Sequence, residues 1–102
     1  RFSLPQKTLP SNYNSWHLFV LLTSKRNLLH KYLLEKGINT LFHYPIAPHQ
    51  QECFKGTKVG NLKLPISEEI HNKCISLPIS SQHTQREINY VCDNIEKFFK
   101  EF

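Results

Sequence analysis

The side chains best suited to chemistry lie in and after the segment LFHYPIAPHQ, residues 41–50. The segment contains His43, Tyr44 and His49, and Cys53 and His71 follow it. Imidazole and thiolate groups can ligate a metal or form a nucleophile–base pair, and aromatic rings can stack on nucleic-acid bases. These three kinds of site are the first hypotheses to weigh.

None of them has a strong signature. The spacings of the histidines and Cys53 match no standard metal-ligand pattern, and no carboxylate is placed in the sequence to orient a histidine. A Cys–His nucleophilic pair stays open, although no local signature supports it. Phe42 and Tyr44 are accompanied by neither an RNP-like pattern nor a stripe of basic residues, so nucleic acid is not a predicted partner.

Composition narrows the class of protein further. With 102 residues and a net charge of +5, the chain is expected to form one domain with a generally basic surface. It has no apolar run of the ~20 residues that a membrane span needs, and no signal-peptide pattern. Its three cysteines share no C-x-x-C spacing, which favours a reducing cytoplasm over a disulfide framework. Because it lacks Met and begins at Arg1, we expect a piece of a longer protein.

The first half of the chain predicts a strand, a helix and a second strand after an extended lead-in at residues 1–15. The apolar run at 16–22 predicts a buried strand with His17 as an interior, hydrogen-bonded histidine. A helix is predicted over 24–36, capped by Ser24 at its start and by a left-handed Gly37 at its end. A second strand over 38–44 is expected to stop at Pro45, which cannot donate to a ladder.

The second half predicts a long loop at 46–66 with one helical turn around residues 49–54, a short helix at 67–74 capped by Ser67, and a third strand at 75–79. Thr84 and Glu87 then form a capping box for a final helix. An apolar stripe follows on that helix, in which Cys92 is expected to fill core space. The stripe comprises Ile88, Val91, Cys92, Ile95, Phe99 and Phe102.

These elements predict an α+β, two-layer fold: a small, mostly antiparallel three-stranded sheet with helices on one face. The crossover through the first helix makes the first two strands parallel, and the third strand can lie between them in the antiparallel sense. A chain of this length cannot easily cover both faces of the sheet. We therefore expect an uncovered apolar face that serves as a docking surface.

From about residue 14 onward, the sequence resembles the C-terminal part of the DegT/DnrJ/EryC1/StrS sugar aminotransferases. The runs that carry the resemblance occur in the same order and at about the same separations. HYPIAPH is similar to that family's H-Y-P-x-P-x-H signature, although Ile46 and Ala47 occupy variable positions. The runs are WHLFVLL, KYLLEKGINTLFHYPIAPHQ, LPISEEIHNKCISLPIS and REINYVCDNI.

The resemblance implies a fold-type I enzyme that uses pyridoxal 5′-phosphate to move an amino group, usually from glutamate, to a keto sugar linked to a nucleotide. In that family the Schiff-base lysine belongs to an upstream large domain. Residues 16–102 would then be the small domain, and residues 1–15 its connection to the large domain. This chain alone would bind no cofactor, and the parent enzyme would be a homodimer. None of the ten lysines has the desolvated or cationic setting that a Schiff-base lysine needs.

The resemblance assigns His43 and Tyr44 to contact with a sugar hydroxyl or the diphosphate, and His49 to the same wall of an interdomain cleft. As neighbours on a strand, His43 and Tyr44 should leave opposite faces and meet at one site only where the strand ends. The structural alternative makes Tyr44 a core residue and His49 a cap of the short helix. The functional alternative is an independent module that binds an anionic small molecule or a partner chain.

Overall fold

The computed structural model describes residues 2–6 and 13–102, and it has an α+β architecture with three α-helices and a two-stranded sheet. None of the helices in this part of the chain is long and apolar enough to cross a membrane. The elements in chain order are β1 (Phe19–Leu22), α1 (Arg26–Glu35), two 3₁₀ turns (Pro48–Gln50 and Glu52–Phe54), α2 (Pro65–Lys73), β2 (Cys74–Leu77) and α3 (Gln85–Glu101).

The sheet is antiparallel, with Phe19 opposite Leu77 and Leu22 opposite Cys74. The strand predicted over 38–44 is reduced to one bridge, in which the amides and carbonyls of Leu41 and Ser76 exchange hydrogen bonds of 3.2 and 2.7 Å. The predicted three-stranded sheet was therefore not confirmed, because the sheet has two strands and an isolated bridge at Leu41. β2 does lie between β1 and the Leu41 segment, in the antiparallel sense, as expected.

The free edge of β1 is met by the described part of the lead-in. Ser3 and Leu22 exchange backbone hydrogen bonds of 2.9 and 3.0 Å, which form a second isolated bridge. Residues 1 and 7–12 of the predicted lead-in lie outside the described residues. Ser3 thus continues the sheet by one bridge beyond β1, as Leu41 does beyond β2.

Helix α1 starts two residues later and ends one residue earlier than the predicted range. Its N-cap is Lys25 without a side-chain cap, so Ser24 does not have the expected role. At its end Gly37 has φ 74°, the left-handed conformation that glycine adopts most readily. The amides of Gly37 and Ile38 donate to the carbonyls of Leu34 and Leu33, which is a Schellman arrangement.

Helix α3 begins at the predicted capping box. The Glu87 amide donates to Oγ1 of Thr84 at 3.3 Å, and the Thr84 amide donates to Oε2 of Glu87 at 2.8 Å. The buried face is narrower than the apolar stripe and is centred on Ile95 and Phe98. Cys92 is exposed, so its assignment as core filler was wrong.

The core lies between the sheet and the helix pair α1 and α3. Ile75 and Leu77 of β2 contribute to it, so Cys74 and Ser76 face the opposite side of the sheet. Cys74 and Ser76 are also buried, which means that β2 is covered on both faces. The expected uncovered face is therefore absent at β2. The buried core residues are Leu21, Leu29, Leu33, Ile38, Ile75, Ile95 and Phe98.

His17 is exposed, contrary to the prediction of an interior histidine. The apolar run begins at Trp16, but β1 begins only at Phe19. His17 therefore precedes the strand and does not share its buried environment. An apolar stretch predicts that a buried strand is present more reliably than it predicts the residue at which the strand begins.

Candidate functional site

His43 lies directly after the Leu41 bridge, on the side of the sheet opposite the helix pair. Its Nδ1 is 2.8 Å from the hydroxyl oxygen of Ser76, and Ser76 is buried. The hydroxyl can donate or accept in this contact, according to the tautomer of the ring. Nε2 of His43 has no hydrogen-bond partner within residues 2–6 and 13–102. The imidazole is therefore fixed at one nitrogen and available at the other.

Tyr44 presents its ring to solvent beside His43. The residue is 62% exposed, so the alternative that made it a core residue is wrong. The rings of His43 and Tyr44 are 5.5 Å apart at an interplanar angle of 81°, an edge-to-face contact. The two side chains were expected to meet only where the strand ends, and both residues do lie beyond the last paired residue, Leu41. The peptide bond between them is cis.

The backbone carbonyl of Tyr44 is held by α2 and β2. Nδ1 of His71 lies 2.6 Å from this oxygen, and the Cys74 thiol lies 3.6 Å from it. Because a carbonyl oxygen only accepts, Nδ1 of His71 must carry the proton. Arg26 adds a link, since its Nη1 donates to the His71 carbonyl at 2.6 Å and its guanidinium lies 4.4 Å from the ring centroid of Phe42.

His49 is buried, with only 4% of its surface exposed. Its Nε2 is 3.1 Å from Oε1 of Glu68, and its buried Nδ1 has no hydrogen-bond partner in the described part of the chain. The sequence-based expectation that no carboxylate orients a histidine was therefore wrong. His49 is therefore turned towards Glu68 of α2 and does not form part of a solvent-exposed surface with Tyr44.

Glu68 also organises the start of α2. That helix begins at Pro65 rather than at residue 67, and its N-cap Leu64 provides no side-chain cap. Glu68 supplies the missing acceptor, because its Oε1 accepts the Leu64 amide at 3.0 Å. The hydrogen bond from Leu64, followed by that from His49, lowers the pKa of the Glu68 carboxyl below its usual value of 4.5. Glu68 therefore stays ionised at neutral pH.

Metal and cofactor chemistry find little support in these residues. Within residues 2–6 and 13–102, no three His, Cys, Asp or Glu side chains are grouped to hold a metal ion. No lysine of these residues is buried, whereas a Schiff-base lysine requires a desolvated setting or a cationic neighbour. The described residues consequently do not fit pyridoxal 5′-phosphate as a covalently held cofactor.

An open groove of about 1050 Å³ lies on another surface, between the first half of α3 and the chain around residues 37–39 and 77–80. Two exposed members of the apolar stripe, Ile88 and Cys92, line it. Sequence periodicity identified these residues as apolar. It could not show that they face a groove.

Comparison with known proteins gives consistent matches. A sequence model described as the DegT/DnrJ/EryC1/StrS aminotransferase family matches residues 2–96. The dTDP-3-amino-3,6-dideoxy-alpha-D-galactopyranose transaminase of Aneurinibacillus thermoaerophilus is 39% identical over 83 residues, which are 81% of this chain and 22% of that protein. The pleiotropic regulatory protein of Geobacillus stearothermophilus is 28% identical over 96 residues, covering 94% of this chain and 26% of that protein.

The fold of the chain also matches that of a solved structure. The crystal structure of DesV from S. venezuelae in complex with a ketimine intermediate superposes with a TM-score of 0.84 and 31% sequence identity. The superposition covers 95% of this chain and 26% of the DesV chain. The chain thus spans about a quarter of the length of the relatives that it matches.

Proposed function

The chain belongs to the DegT/DnrJ/EryC1/StrS aminotransferase family, and we propose that it forms the small C-terminal domain of a nucleotide-sugar aminotransferase. The parent enzyme would transfer an amino group from glutamate to a keto sugar linked to a nucleotide diphosphate. A relative that acts as a dTDP-amino-sugar transaminase supports this substrate class. The short span of the match supports a longer parent protein, which we propose to be a cytoplasmic homodimer.

The observation that carries the proposal is the pairing of His43 and Tyr44. Their rings contact each other, and neither Nε2 of His43 nor the Tyr44 hydroxyl has a hydrogen-bond partner in the described residues. An imidazole nitrogen and a phenol can each bind a sugar hydroxyl, and both can donate to a diphosphate oxygen. We propose that they contact the sugar nucleotide on one side of an interdomain cleft, where ligand sites are common.

His49 has a different part in the proposal. It was expected on the same wall of the cleft as His43 and Tyr44. Its burial and its contact with Glu68 support instead a role in holding residues 44–49 against α2. We therefore propose direct substrate contacts for His43 and Tyr44, and an indirect contribution from His49.

Pyridoxal 5′-phosphate would supply the electron sink for amino transfer in the parent enzyme. The described lysines do not fit that group, so we propose that the Schiff-base lysine and the phosphate site belong to the upstream large domain. The chain described here would then bind and orient the sugar substrate. It would also exclude water from one side of the cleft.

The proposal is tested with the full-length protein that carries this chain. We expect it to show a cofactor absorption band that glutamate converts, and to aminate a dTDP-linked keto sugar. A full-length protein that binds the cofactor and reacts with glutamate but accepts no nucleotide sugar would contradict the substrate class. A full-length protein that lacks both reactions would contradict the proposal that it is an aminotransferase.

The second candidate is a regulatory module. It is favoured by the similarity to the pleiotropic regulatory protein of Geobacillus stearothermophilus. In that case we expect the full-length protein to lack amination of nucleotide sugars, and the isolated chain to be a stable monomer. Sedimentation of the isolated chain, combined with the amination assay, separates the two candidates.

A further inference from the structure

Helix α2 holds both ends of residues 44–49 through two side chains on one face. Glu68 and His71 are three positions apart and hence neighbours on the helix surface. His71 contacts the carbonyl oxygen of Tyr44 at 2.6 Å, and Glu68 contacts Nε2 of His49 at 3.1 Å. We infer that Glu68 and His71 form a two-point clamp that positions the proposed sugar-binding side chains. This inference rests on the proposed function for what residues 43–49 bind.

The segment needs such a clamp because its own backbone provides little support. Pro45 and Pro48 have no amide hydrogen. Between the amides of Leu41 and Gln50, no described backbone amide donates to a backbone carbonyl. Apart from the carbonyls of Ala47 and Pro48, which accept from the amides of Gln50 and Gln51, the polar contacts that fix residues 43–49 come from side chains. These side chains are Ser76 at His43, His71 and Cys74 at Tyr44, and Glu68 at His49. Two of these four side chains belong to α2.

The two contacts of the clamp differ in chemistry. His71 acts as a donor from Nδ1, and its own carbonyl is held by Arg26 at 2.6 Å. Glu68 acts as an acceptor that joins His49 to the Leu64 amide. Since Nδ1 of His49 is buried without a partner in the described residues, the contact with Glu68 is the one polar anchor seen for that ring. Removal of the carboxylate would leave a buried imidazole with no partner.

The chemistry supplies matched variants. His71→Asn places an amide donor near the position of Nδ1, whereas His71→Leu removes the donor. Glu68→Gln keeps an acceptor oxygen, whereas Glu68→Ala removes it. Glu69→Ala is the control on the same helix, because Glu69 is exposed and pairs only with Lys73 among the described residues.

The position of the segment can be followed in the full-length protein with ¹³C-labelled tyrosine rings. The Tyr44 signal is assigned by its loss in Tyr44→Phe. In the native protein it should show a ring-current shift, because the His43 ring lies 5.5 Å away. We expect His71→Leu and Glu68→Ala to move this signal towards the position of a free tyrosine. The Asn and Gln variants and Glu69→Ala should keep it in place.

Kinetics then test the consequence for binding. His71→Leu and Glu68→Ala should each raise KM for the nucleotide sugar by about threefold to tenfold, as expected for one lost hydrogen bond. The half-reaction with glutamate should stay unchanged in both variants. The conservative variants should restore KM, which a purely structural loss of stability would not explain.

The outcomes separate the inference from the proposed function. An unmoved Tyr44 signal in both His71→Leu and Glu68→Ala overturns the clamp. A moved signal with unchanged KM for the sugar overturns the positioning role, provided that Tyr44→Phe does alter KM. If His43→Ala and Tyr44→Phe also leave KM unchanged, the proposed sugar contacts of these two residues fail, whereas the proposed function fails only if the full-length protein aminates no nucleotide sugar.

Discussion

The hydroxyl oxygen of Ser76 lies 2.8 Å from Nδ1 of His43, at the residue where β2 is paired with both β1 and Leu41. Ser76 thus joins the sheet to the paired rings of His43 and Tyr44. Ser76→Ala should lower the free energy of unfolding by ~0.5–1.5 kcal/mol, the usual net value of one hydrogen bond. Chemical denaturation measures this change. Ser81→Ala, at an exposed serine, is the control and should leave stability unaltered.

Replacement of His43 by Ala or of Tyr44 by Phe should weaken use of the sugar substrate. One lost hydrogen bond corresponds to roughly threefold to a hundredfold in kcat/KM, with the upper end for contact with a charged diphosphate oxygen. The visible spectrum of the cofactor and the glutamate half-reaction should be retained, because neither residue would contact the cofactor. Steady-state kinetics of the full-length variants check this, and parental kcat/KM in both would make the residues structural.

Thr84→Ala should destabilise the domain by ~1 kcal/mol through loss of the N-cap of α3. Thr84→Ser retains the hydroxyl and is expected to keep nearly parental stability. The midpoint of urea unfolding measures the difference between the two variants. Equal midpoints would show that the hydroxyl of Thr84 contributes nothing to the start of α3.

The capping box also predicts a pH dependence. The hydrogen bond from the Thr84 amide, followed by that from the Thr84 hydroxyl, lowers the pKa of Glu87 below 4.5. A carboxyl whose pKa is lower in the folded state stabilises the fold fully above its unfolded pKa, and this contribution is lost as pH falls through the folded pKa. The stability difference between the native protein and Glu87→Gln should therefore be constant near neutral pH and shrink below about pH 4.5. Urea unfolding at a series of pH values tests this, and a difference that does not change with pH would contradict it.

The isolated chain should not be labelled by pyridoxal 5′-phosphate at a single lysine. The described lysines are at least partly exposed, so none should form a Schiff base in preference to the others. Borohydride reduction followed by peptide mapping tests this expectation. Stoichiometric labelling of one lysine, accompanied by amino transfer, would be incompatible with a small domain.

Local patterns in the sequence predicted the elements whose signals are themselves local. The capping box at Thr84 and the left-handed Gly37 were both confirmed, because each depends on residues within one or two turns. The predicted position of the last strand between β1 and the Leu41 segment agrees with the structure, although a three-stranded sheet was not confirmed. The second strand is reduced to the bridge at Leu41, after which the side chains of Phe42 and His43 contact Arg26 and Ser76.

The sequence nominates residues for the candidate site, but it does not predict their geometry. HYPIAPH identified His43, Tyr44 and His49, but not that His49 is buried against Glu68. Glu68 looked like an ordinary acidic residue in the first turn of a helix, and its partner is 19 positions away. Such a pair has no periodic or spacing signal. Only the folded chain brings it together.

The pairing of β1 with β2 also bears on how the chain folds. Leu22 pairs with Cys74, so α1, the long loop and α2 all lie between the two strands in sequence. Closing so large a loop has an entropic cost that must be met before the strand contacts can compensate for it. Helix α3 contains its own cap and can form from local contacts. We therefore expect helix formation to precede sheet formation during refolding, and a ribosome-bound chain cannot complete this sheet until the residues of β2 have emerged.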